Sequence, residues 1–498
     1  MAKAAEHRAE HYASEDFSKL QEAVFVLCII SAQLLTQAGL GQAIAPLHII
    51  GESFGNLPIG QLSWFPAAYS LTVGTFILIA GRLGDMYGHK LMFVLGFLWF
   101  GLWSLIAGVS VYSGSSIFFD ICRALQGIGP AFTLPNALAI LGHAYPPGPR
   151  KNMVFSLFGA AAPGGFVLGA LFSSLFAQLA WWPWGYWVMA IACVFVAVLS
   201  IPVIPRMDRE PKDPSGKHQF DFAGSLTGVA GLILVNVAWN QAPSVGWDDP
   251  SVFILLIIGI LLFILFAFIE TRVTDPLIPT NLLSGDTGFI LACIAAGWSS
   301  FGIWVYYLWQ FMQTLQGATP LNATARFVPV MISGFLAAVT TGFLISRIRT
   351  SIIMVLAMLA FCVGTVLTAT TPVDQIYWAQ IFVAILIMPW GMDMSFPAAT
   401  IILSDVVPRE QQGIAASLVN TVVNYSISIG LGIAGTVQVY ANRSTPDDVL
   451  RGFRLAWYTG IGLSGMGVLV ATAYVIKSSI KSQVRHHHEE PTQLDTIE

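Results

Sequence analysis

Residues 61–110 read QLSWFPAAYSLTVGTFILIAGRLGDMYGHKLMFVLGFLWFGLWSLIAGVS, two long apolar runs joined by the polar segment GRLGDMYGHK at 81–90. A helix of roughly 20 apolar residues is long enough to cross about 30 Å of hydrocarbon. Similar runs recur from residue 23 almost to the C-terminus. The chain is 55% hydrophobic and only 10% charged, whereas a soluble domain averages about 25% charged residues. The sequence therefore predicts an all-α polytopic membrane protein.

The same pattern, followed outward from these two runs, predicts fourteen transmembrane helices. Their predicted bounds are 23–47, 61–82, 91–110, 116–141, 153–178, 184–204, 222–240, 251–270, 288–311, 324–346, 351–370, 376–403, 412–438 and 455–476.

Two polar segments, 205–221 and 271–287, follow the sixth and the eighth run and are expected to be cytoplasmic linkers. They divide the chain into an N-terminal six-helix bundle, two additional helices and a C-terminal six-helix bundle. These three parts have the predicted bounds 23–204, 222–270 and 288–476, with tails at 1–22 and 477–498. Repeated six-helix halves around a central binding cavity are a known transporter architecture.

The Lys and Arg residues predict the orientation in the membrane. Most of the 23 basic residues lie on one side of this topology, including Lys90 and those of the segment 206–217. The opposite side has Arg443, Arg451 and Arg454. Because Lys and Arg concentrate in cytoplasmic loops, both termini are expected in the cytoplasm. The plasma membrane is the expected location of this multi-pass protein, and the vacuolar membrane is the alternative.

Composition also excludes several functional classes. A net charge of −4 argues against a nucleic-acid partner. The five cysteines fall within predicted spans without metal-ligand spacing, so we interpret them as packing residues. Neither a nucleophile constellation nor a Walker loop is present in the sequence. We therefore expect no enzyme, no metal and no cofactor. We also expect a monomer whose apolar spans contact the lipid bilayer.

Among the charged residues inside predicted spans, two stand out: Arg123 in the run 116–141, and Asp393, the only acid near the middle of a run, in 376–403. An ionisable side chain in hydrocarbon costs roughly 2.5–3.5 kcal/mol on insertion scales, so it indicates a functional position. Asp120 precedes Arg123 by three residues, so both side chains share a helix face and can pair. Such a pair serves either proton coupling or, as a neutralised pair, helix packing.

The segment 81–90 has the features of a tight connection between helices. Gly81 and Gly88 allow a neighbouring helix to approach closely. Asp85 can accept hydrogen bonds from a helix N-terminus, and Lys90 supplies a cation. The segment resembles the signature loop G-x-L-a-D-r-x-G-r-[KR] of the major facilitator superfamily, although positions 86 and 89 lack the usual basic residues. The resemblance implies a gate that holds the cytoplasmic side shut; an ordinary polar turn is the alternative.

Two further motifs resemble the same superfamily. The segment 123–130, RALQGIGP, is similar to its R-x-x-q-G-x-g-a pattern, whose arginine is thought to link protonation to substrate binding. The fifth run contains Gly159, Pro163, Gly165 and Gly169, similar to the antiporter signature g-x-x-x-G-P-x-x-G-G with some departures. Small residues at this density let two helices touch backbone to backbone and form a hinge. Such packing without antiport is the alternative.

Together with the fourteen spans, these motifs resemble the drug:H⁺ antiporter-2 group along the whole chain. The segment 180–184, AWWPW, resembles the fungal aminotriazole- and boron-resistance exporters of that group. The resemblance implies a major facilitator fold with 6+2+6 helices. In the first helix, however, Gln37 occupies the position of the group's usual acid and cannot titrate. Asp393 therefore becomes the candidate proton site.

Uncharged polar residues inside the spans are candidates for lining a substrate cavity. They are Gln33, Gln37, Gln42, Gln126, Asn136, Asn420 and Asn424. Hydrogen bonds between helices explain any one of them equally well. As a set they indicate a polar, largely uncharged cavity that suits small polar solutes.

These observations favour a secondary active transporter that exports a small polar compound or drug by alternating access, driven by inward proton movement. A proton-independent facilitator or an uptake carrier for a small polar solute is the alternative. A transporter-like receptor is disfavoured, because such proteins tend to have long cytoplasmic extensions and the predicted tails 1–22 and 477–498 are short.

Overall fold

The structure is a computed structural model that describes residues 12–55, 57, 59–146, 148–205, 221–273, 276–278, 285–404, 406–407, 412–442 and 448–489. Fourteen long helices are labelled here α1 to α14. Their bounds are α1 Lys19–Ile44, α2 Trp64–Tyr87, α3 His89–Val109, α4 Ser116–Ala144, α5 Pro149–Leu179, α6 Pro183–Val203, α7 Phe222–Val245, α8 Pro250–Glu270, α9 Gly285–Gln310, α10 Pro329–Ile345, α11 Thr350–Ala369, α12 Gln380–Ser404, α13 Gln412–Asn442 and α14 Val449–Glu489.

Short helical segments connect or extend several of these helices. They are Ala13–Glu15, Leu47–Glu52, Ile59–Leu62, Ser110–Ser113, Phe311–Leu315 and Pro320–Phe327. By length and composition, fourteen helices among the described residues are apolar enough to cross a membrane, which confirms the predicted number of spans. Most of the predicted linker 205–221, much of 271–287 and the outer parts of both tails lie outside the described residues.

The packing repeats along the chain with a shift of eight helices. In the first half, α1 packs against α5 and α6, α2 against α4, and α3 against α4 and α6. In the second half, α9 packs against α13 and α14, α10 against α12, and α11 against α12 and α14. We call α1–α6 the N-terminal half and α9–α14 the C-terminal half. The predicted all-α fold of 6+2+6 helices is thereby confirmed.

The two halves meet along two helix pairs, α2 with α13 and α5 with α10. The additional helices α7 and α8 pack against each other, and α7 also lies against α13 and α2. A buried amide network holds α7 to α13. Asn240 donates to the side-chain oxygen of Asn236 at 2.8 Å, and the Ser428 hydroxyl donates to that same oxygen, also at 2.8 Å.

Helices α1 and α5 touch backbone to backbone. A methyl group on Gly165 would collide with the carbonyl oxygen of Leu34, and one on Gly169 would collide with that of Ala38. At one end of the same helices, Arg150 donates to Glu22 from Nε at 2.7 Å. That end, where α1 begins and α14 ends, is called here the terminal face, and the opposite end the distal face.

Hydrogen bonds join the two halves at the distal face. The Gln313 amide donates to the Ala45 carbonyl oxygen at 2.6 Å. The hydroxyls of Ser174 on α5 and Thr324, in the segment that precedes α10, lie 3.1 Å apart. His48 lies 3.3 Å from the Thr314 hydroxyl, and burial lowers the pKa of this histidine below its ordinary value. The halves are therefore closed against each other on the distal side.

Gly169→Ala is expected to destabilise the protein, because the added methyl group would force the α1 backbone away from α5. Overpacking of this kind costs about 1–3 kcal/mol. The thermal midpoint of the purified protein in detergent measures the effect. Gly159→Ala on the same helix is the matched control, because a methyl group there meets nothing within 4 Å. Equal midpoints for the two variants would contradict the close packing at Gly169.

Candidate functional site

Arg123 on α4 is fully buried and bridges three helices of the N-terminal half. Its Nε donates to the Phe65 carbonyl oxygen of α2 at 2.9 Å. One terminal nitrogen donates to the Gly39 carbonyl oxygen of α1 at 2.7 Å, and the other donates to the side-chain oxygen of Gln126. Hydrogen bonds to a charged group are stronger than those between neutral groups. The guanidinium is therefore accommodated by polar groups of the protein at membrane depth.

Aromatic rings complete this site. The guanidinium carbon of Arg123 lies 4.5 Å from the ring centroid of Tyr69 and 5.7 Å from that of Tyr186. Rings at these distances attract a cation through their negative faces. Tyr69 is itself positioned by a 2.7 Å hydrogen bond from its hydroxyl to the Thr36 carbonyl oxygen. The aromatic rings were not identified from the sequence, because nothing in the spacing of α2 and α6 marks them as neighbours of Arg123.

Asp120 and Arg123, which the sequence places on one helix face, form no direct ion pair among the described residues. The guanidinium donates its hydrogen bonds to Phe65, Gly39 and Gln126. Oδ1 of Asp120 is buried without a hydrogen-bond partner in the described part of the chain. The guanidinium instead points toward the α1 and α2 carbonyl oxygens, away from the preceding turn of its own helix.

Two of the predicted cavity residues form hydrogen bonds within the N-terminal half. Gln126 is fully buried and donates to the Ser104 hydroxyl at 2.6 Å. This bond holds in place the side-chain oxygen that accepts from Arg123. Asn136 is also fully buried and donates to the Phe132 and Ala80 carbonyl oxygens. Full burial removes both side chains from contact with a solute. A cavity-lining role for Gln126 and Asn136 therefore stays a prediction, because neither side chain is exposed in this conformation.

The other predicted cavity residues differ in burial. Gln33 and Gln37 on α1 and Asn420 and Asn424 on α13 are partly buried. Gln42 is almost fully buried, and both atoms of its amide lack a hydrogen-bond partner within the described residues. Partial burial leaves the first four side chains available to a solute between the halves.

Asp393 lies on α12, and its environment differs from that of Arg123. Its Oδ2 is buried and has no hydrogen-bond partner among the described residues. A methyl group built on Gly334 of α10 would lie 3.0 Å from this oxygen and 2.5 Å from Cγ of Pro163 on α5. Asp393 therefore lies beside the contact between the two halves, close to the proline of the antiporter-like helix.

The segment 81–90 is helical on both sides of a single turn residue. Helix α2 runs to Tyr87 and α3 begins at His89, so Gly88 alone makes the turn, with φ of 103°. Lys90 was expected to act within its own loop. Instead it donates from Nζ to the carbonyl oxygens of Ile201 at 2.7 Å and Ile204 at 2.5 Å, at the end of α6. This cation thus neutralises the C-terminal end of a neighbouring helix.

His89 organises this connection, although the sequence indicated it only as a departure from the signature. Its Nε2 lies 3.6 Å from Oδ1 of Asp85, and its Nδ1 lies 2.8 Å from Oδ1 of Asn136. Gly84 leaves room for the Asn136 side chain, and Gly81 lies near Ser417 of the C-terminal half. The predicted gating residues therefore meet α4 through a histidine and an asparagine.

The comparisons with known proteins agree with this fold. The family model described as Major Facilitator Superfamily matches residues 27–285 and 288–496. The "Low affinity ammonium transporter" of Saccharomyces cerevisiae is 63% identical over 94% of this chain and 91% of that protein. The "Efflux pump terJ" of Aspergillus terreus is 49% identical, over 93% of this chain and 89% of that protein.

The predicted resemblance to aminotriazole-resistance exporters is also confirmed. The "Aminotriazole resistance protein" of Saccharomyces cerevisiae is 41% identical over 93% of this chain and 85% of that protein. Among solved structures, a peptide transporter POT in complex with sulfate matches with a TM-score of 0.63. That match covers 94% of this chain and 96% of the other at 14% identity, so it supports the fold alone.

Arg123→Lys is expected to lower the thermal midpoint by several degrees, because an ammonium group cannot reproduce the forked hydrogen bonds to α1 and α2. Each buried acceptor or donor left unsatisfied costs about 1–3 kcal/mol. Thermal unfolding in detergent, followed by tryptophan fluorescence, measures the change. Arg272→Lys at an exposed position is the matched control. A midpoint for Arg123→Lys equal to that of the control would contradict the bridging role.

Proposed function

The chain belongs to the major facilitator superfamily and is a membrane transporter, and from that premise we propose that it moves a small polar solute by proton-coupled alternating access. Asp393 is the proposed proton site. The solute is proposed to bind between the two six-helix halves, with export as the direction. Relatives named as efflux pumps support this direction.

The environment of Asp393 is the observation that supports the proposal. A buried carboxylate oxygen without a hydrogen-bond partner is costly when ionised and inexpensive when protonated. The oxygen lies beside Pro163 and Gly334, where α5 and α10 join the halves. Loading and release of a proton at this position therefore changes the energy of the contact that must open and close during transport.

Arg123 is proposed as a fixed positive charge of the N-terminal half. Its hydrogen bonds to Phe65 and Gly39 hold it in place and support a constant charge state. Asp120, whose Oδ1 lacks a hydrogen-bond partner among the described residues, is proposed as an auxiliary proton acceptor. The residues proposed to line the solute path are Gln33, Gln37, Asn420 and Asn424.

The orientation follows from the distribution of Lys and Arg. Both termini are proposed to be cytoplasmic, so that the distal face points out of the cell or into the vacuole. The hydrogen bonds from Gln313 to Ala45 and between Ser174 and Thr324 then close the outer side. This arrangement supports assignment of the structure to an inward-facing state.

A second candidate function is proton-independent movement of ammonium. The relative that is 63% identical is named a low affinity ammonium transporter, which favours this alternative. Oδ2 of Asp393, which has no hydrogen-bond partner among the described residues, can accept a hydrogen bond from ammonium as well as take up a proton. Gln37, at the position where the antiporter group usually has an acid, is also consistent with transport without a proton.

Asp393→Asn is expected to abolish the pH dependence of transport and to lower the rate at least about tenfold, because asparagine keeps the shape but cannot ionise. Proteoliposomes are loaded in turn with ammonium, borate, aminotriazole and a cationic dye, and efflux is measured with and without a pH gradient. Asp374→Asn in an exposed connection is the matched control. A pH dependence unchanged from the wild type would contradict the proton site.

The same assay distinguishes the two candidate functions. Export that stops when a proton ionophore collapses the gradient supports proton coupling. If ammonium counterflow instead continues under the same treatment and is reduced by Asp393→Asn, that result supports the facilitator and contradicts antiport.

A further inference from the structure

Among the glycines that the structure describes, Gly334 is the one whose added methyl group would meet both Pro163 of α5 and the Asp393 side chain. A methyl group built there would lie 2.5 Å from Cγ and 3.1 Å from Cβ of Pro163, and 3.0 Å from Oδ2 of Asp393. Gly334 and Asp393 belong to the C-terminal half, whereas Pro163 belongs to the N-terminal half. The missing side chain at Gly334 therefore allows a proline of one half to pack beside a carboxylate of the other.

The packing around Gly334 places the carboxylate oxygen in apolar surroundings. Pro163 offers only ring carbons at this point and, as a proline, has no backbone N–H to donate. The Ser333 hydroxyl, next to Gly334, donates to the Leu386 carbonyl oxygen at 2.5 Å. Oδ2 has no hydrogen-bond partner among the described residues. The closed contact is therefore more favourable for a neutral carboxyl than for a carboxylate.

The helices around Asp393 provide no opposite charge at this depth. Helix α10 has no ionisable residue in its sequence. The ionisable residues of the other neighbouring helices are Cys362 on α11, Asp286, Cys293, Tyr306 and Tyr307 on α9, Tyr425 and Tyr440 on α13, and Arg150 and Lys151 in the first turn of α5. The two cations lie about 18 Å from Pro163 along the α5 axis, at 1.5 Å per residue. Among the described residues, no side chain therefore neutralises an ionised Asp393, whereas protonation removes its charge.

We propose that Gly334 is a positioning residue that makes closure of the α5–α10 contact depend on the charge of Asp393. When Asp393 is neutral, Pro163 packs over it and the halves close; when Asp393 is ionised, the contact loosens and the distal side opens. This inference rests on the proposed proton site and adds the contact through which that site acts on the conformation.

The distal face provides a readout of closure that needs no substrate. Ser174 lies on α5, and Thr324 lies in the segment that leads into α10, with their hydroxyl oxygens 3.1 Å apart. Cysteines at these two positions are expected to form a disulfide when the α5–α10 contact is closed. Cys28, Cys122, Cys193 and Cys293 are buried, so replacing the partly exposed Cys362 by alanine gives a suitable background.

The experiment measures copper-phenanthroline cross-linking of the S174C/T324C protein in detergent between pH 5.5 and pH 8.5. The remaining free thiols are trapped with a maleimide, and all samples are then quenched at one pH. The yield is expected to be about threefold higher at the acidic end, because neutral Asp393 favours closure. Asp393→Asn is expected to give a high yield across the range. Gly334→Ala is expected to give a low yield across the range, since its methyl group occupies the place of the Pro163 ring.

Two further variants separate the contact from general misfolding. Gly342→Ala, on the same helix with nothing within 4 Å of the added methyl group, is expected to behave as the wild type. Pro163→Ala removes the ring carbon nearest to the Gly334 position, so the double variant with Gly334→Ala is expected to recover a pH-dependent yield. Pro163→Ala alone is expected to weaken the pH dependence, because the ring that packs beside Asp393 is missing.

The outcomes distinguish this inference from the proposed function. If the cross-linking yield of Gly334→Ala equals that of Gly342→Ala, the role of Gly334 is overturned. This holds even if Asp393→Asn removes the pH dependence. A pH dependence that persists in Asp393→Asn overturns the proton site and with it this inference. A low yield that the Pro163→Ala change fails to restore overturns the contact between these two residues.

Discussion

Burial of the Arg123 guanidinium at membrane depth constrains the N-terminal half more tightly than any other interaction described above. Its N–H groups need acceptors, and most helix carbonyl oxygens already accept one intrahelical bond. Each oxygen has a second lone pair, and the carbonyl groups of Gly39 and Phe65 use theirs for Arg123. A methyl group on Gly39 would lie 2.5 Å from the Tyr69 hydroxyl. The same glycine therefore supplies an acceptor and makes room for the aromatic ring that faces the cation.

The sequence was sufficient to predict the features that depend on local composition. The lengths of the apolar runs predict the fourteen spans, because the thickness of the hydrocarbon sets the minimum length of a spanning helix. The polar segments after the sixth and eighth runs predict the 6+2+6 arrangement. The partners of Arg123 were not predictable, since two of them are backbone carbonyl oxygens of other helices and carry no sequence signal. Asp120 was predicted as a partner from its spacing alone, yet spacing does not determine which way a long side chain turns. The contact between His89 and Asn136 was not predictable either, because it depends on tertiary packing.

The two charges inside the membrane occupy corresponding helices of the two halves. Arg123 lies on α4 and Asp393 on α12, and the packing repeats with a shift of eight helices. Their surroundings are nevertheless opposite. Arg123 has hydrogen bonds and two aromatic rings, whereas Oδ2 of Asp393 has no hydrogen-bond partner in the described part of the chain. A satisfied charge favours one conformation, while an unsatisfied carboxyl responds to protonation. Corresponding helices thus carry a hydrogen-bonded cation in one half and, among the described residues, a carboxyl with an unpaired oxygen in the other.

Helix α5 shows how one element can belong firmly to its own half and still separate from the other. Gly165 and Gly169 are four residues apart, so they share one face, and that face touches the α1 backbone. Pro163 precedes Gly165 by two residues, which at 3.6 residues per turn places it on roughly the opposite face, toward α10. The glycine face allows the backbones of α5 and α1 to touch. Separating these two helices would break many close contacts at once. The proline face makes a smaller contact beside Asp393, the proposed proton site. The spacing of this motif therefore separates a permanent interface from one that can open.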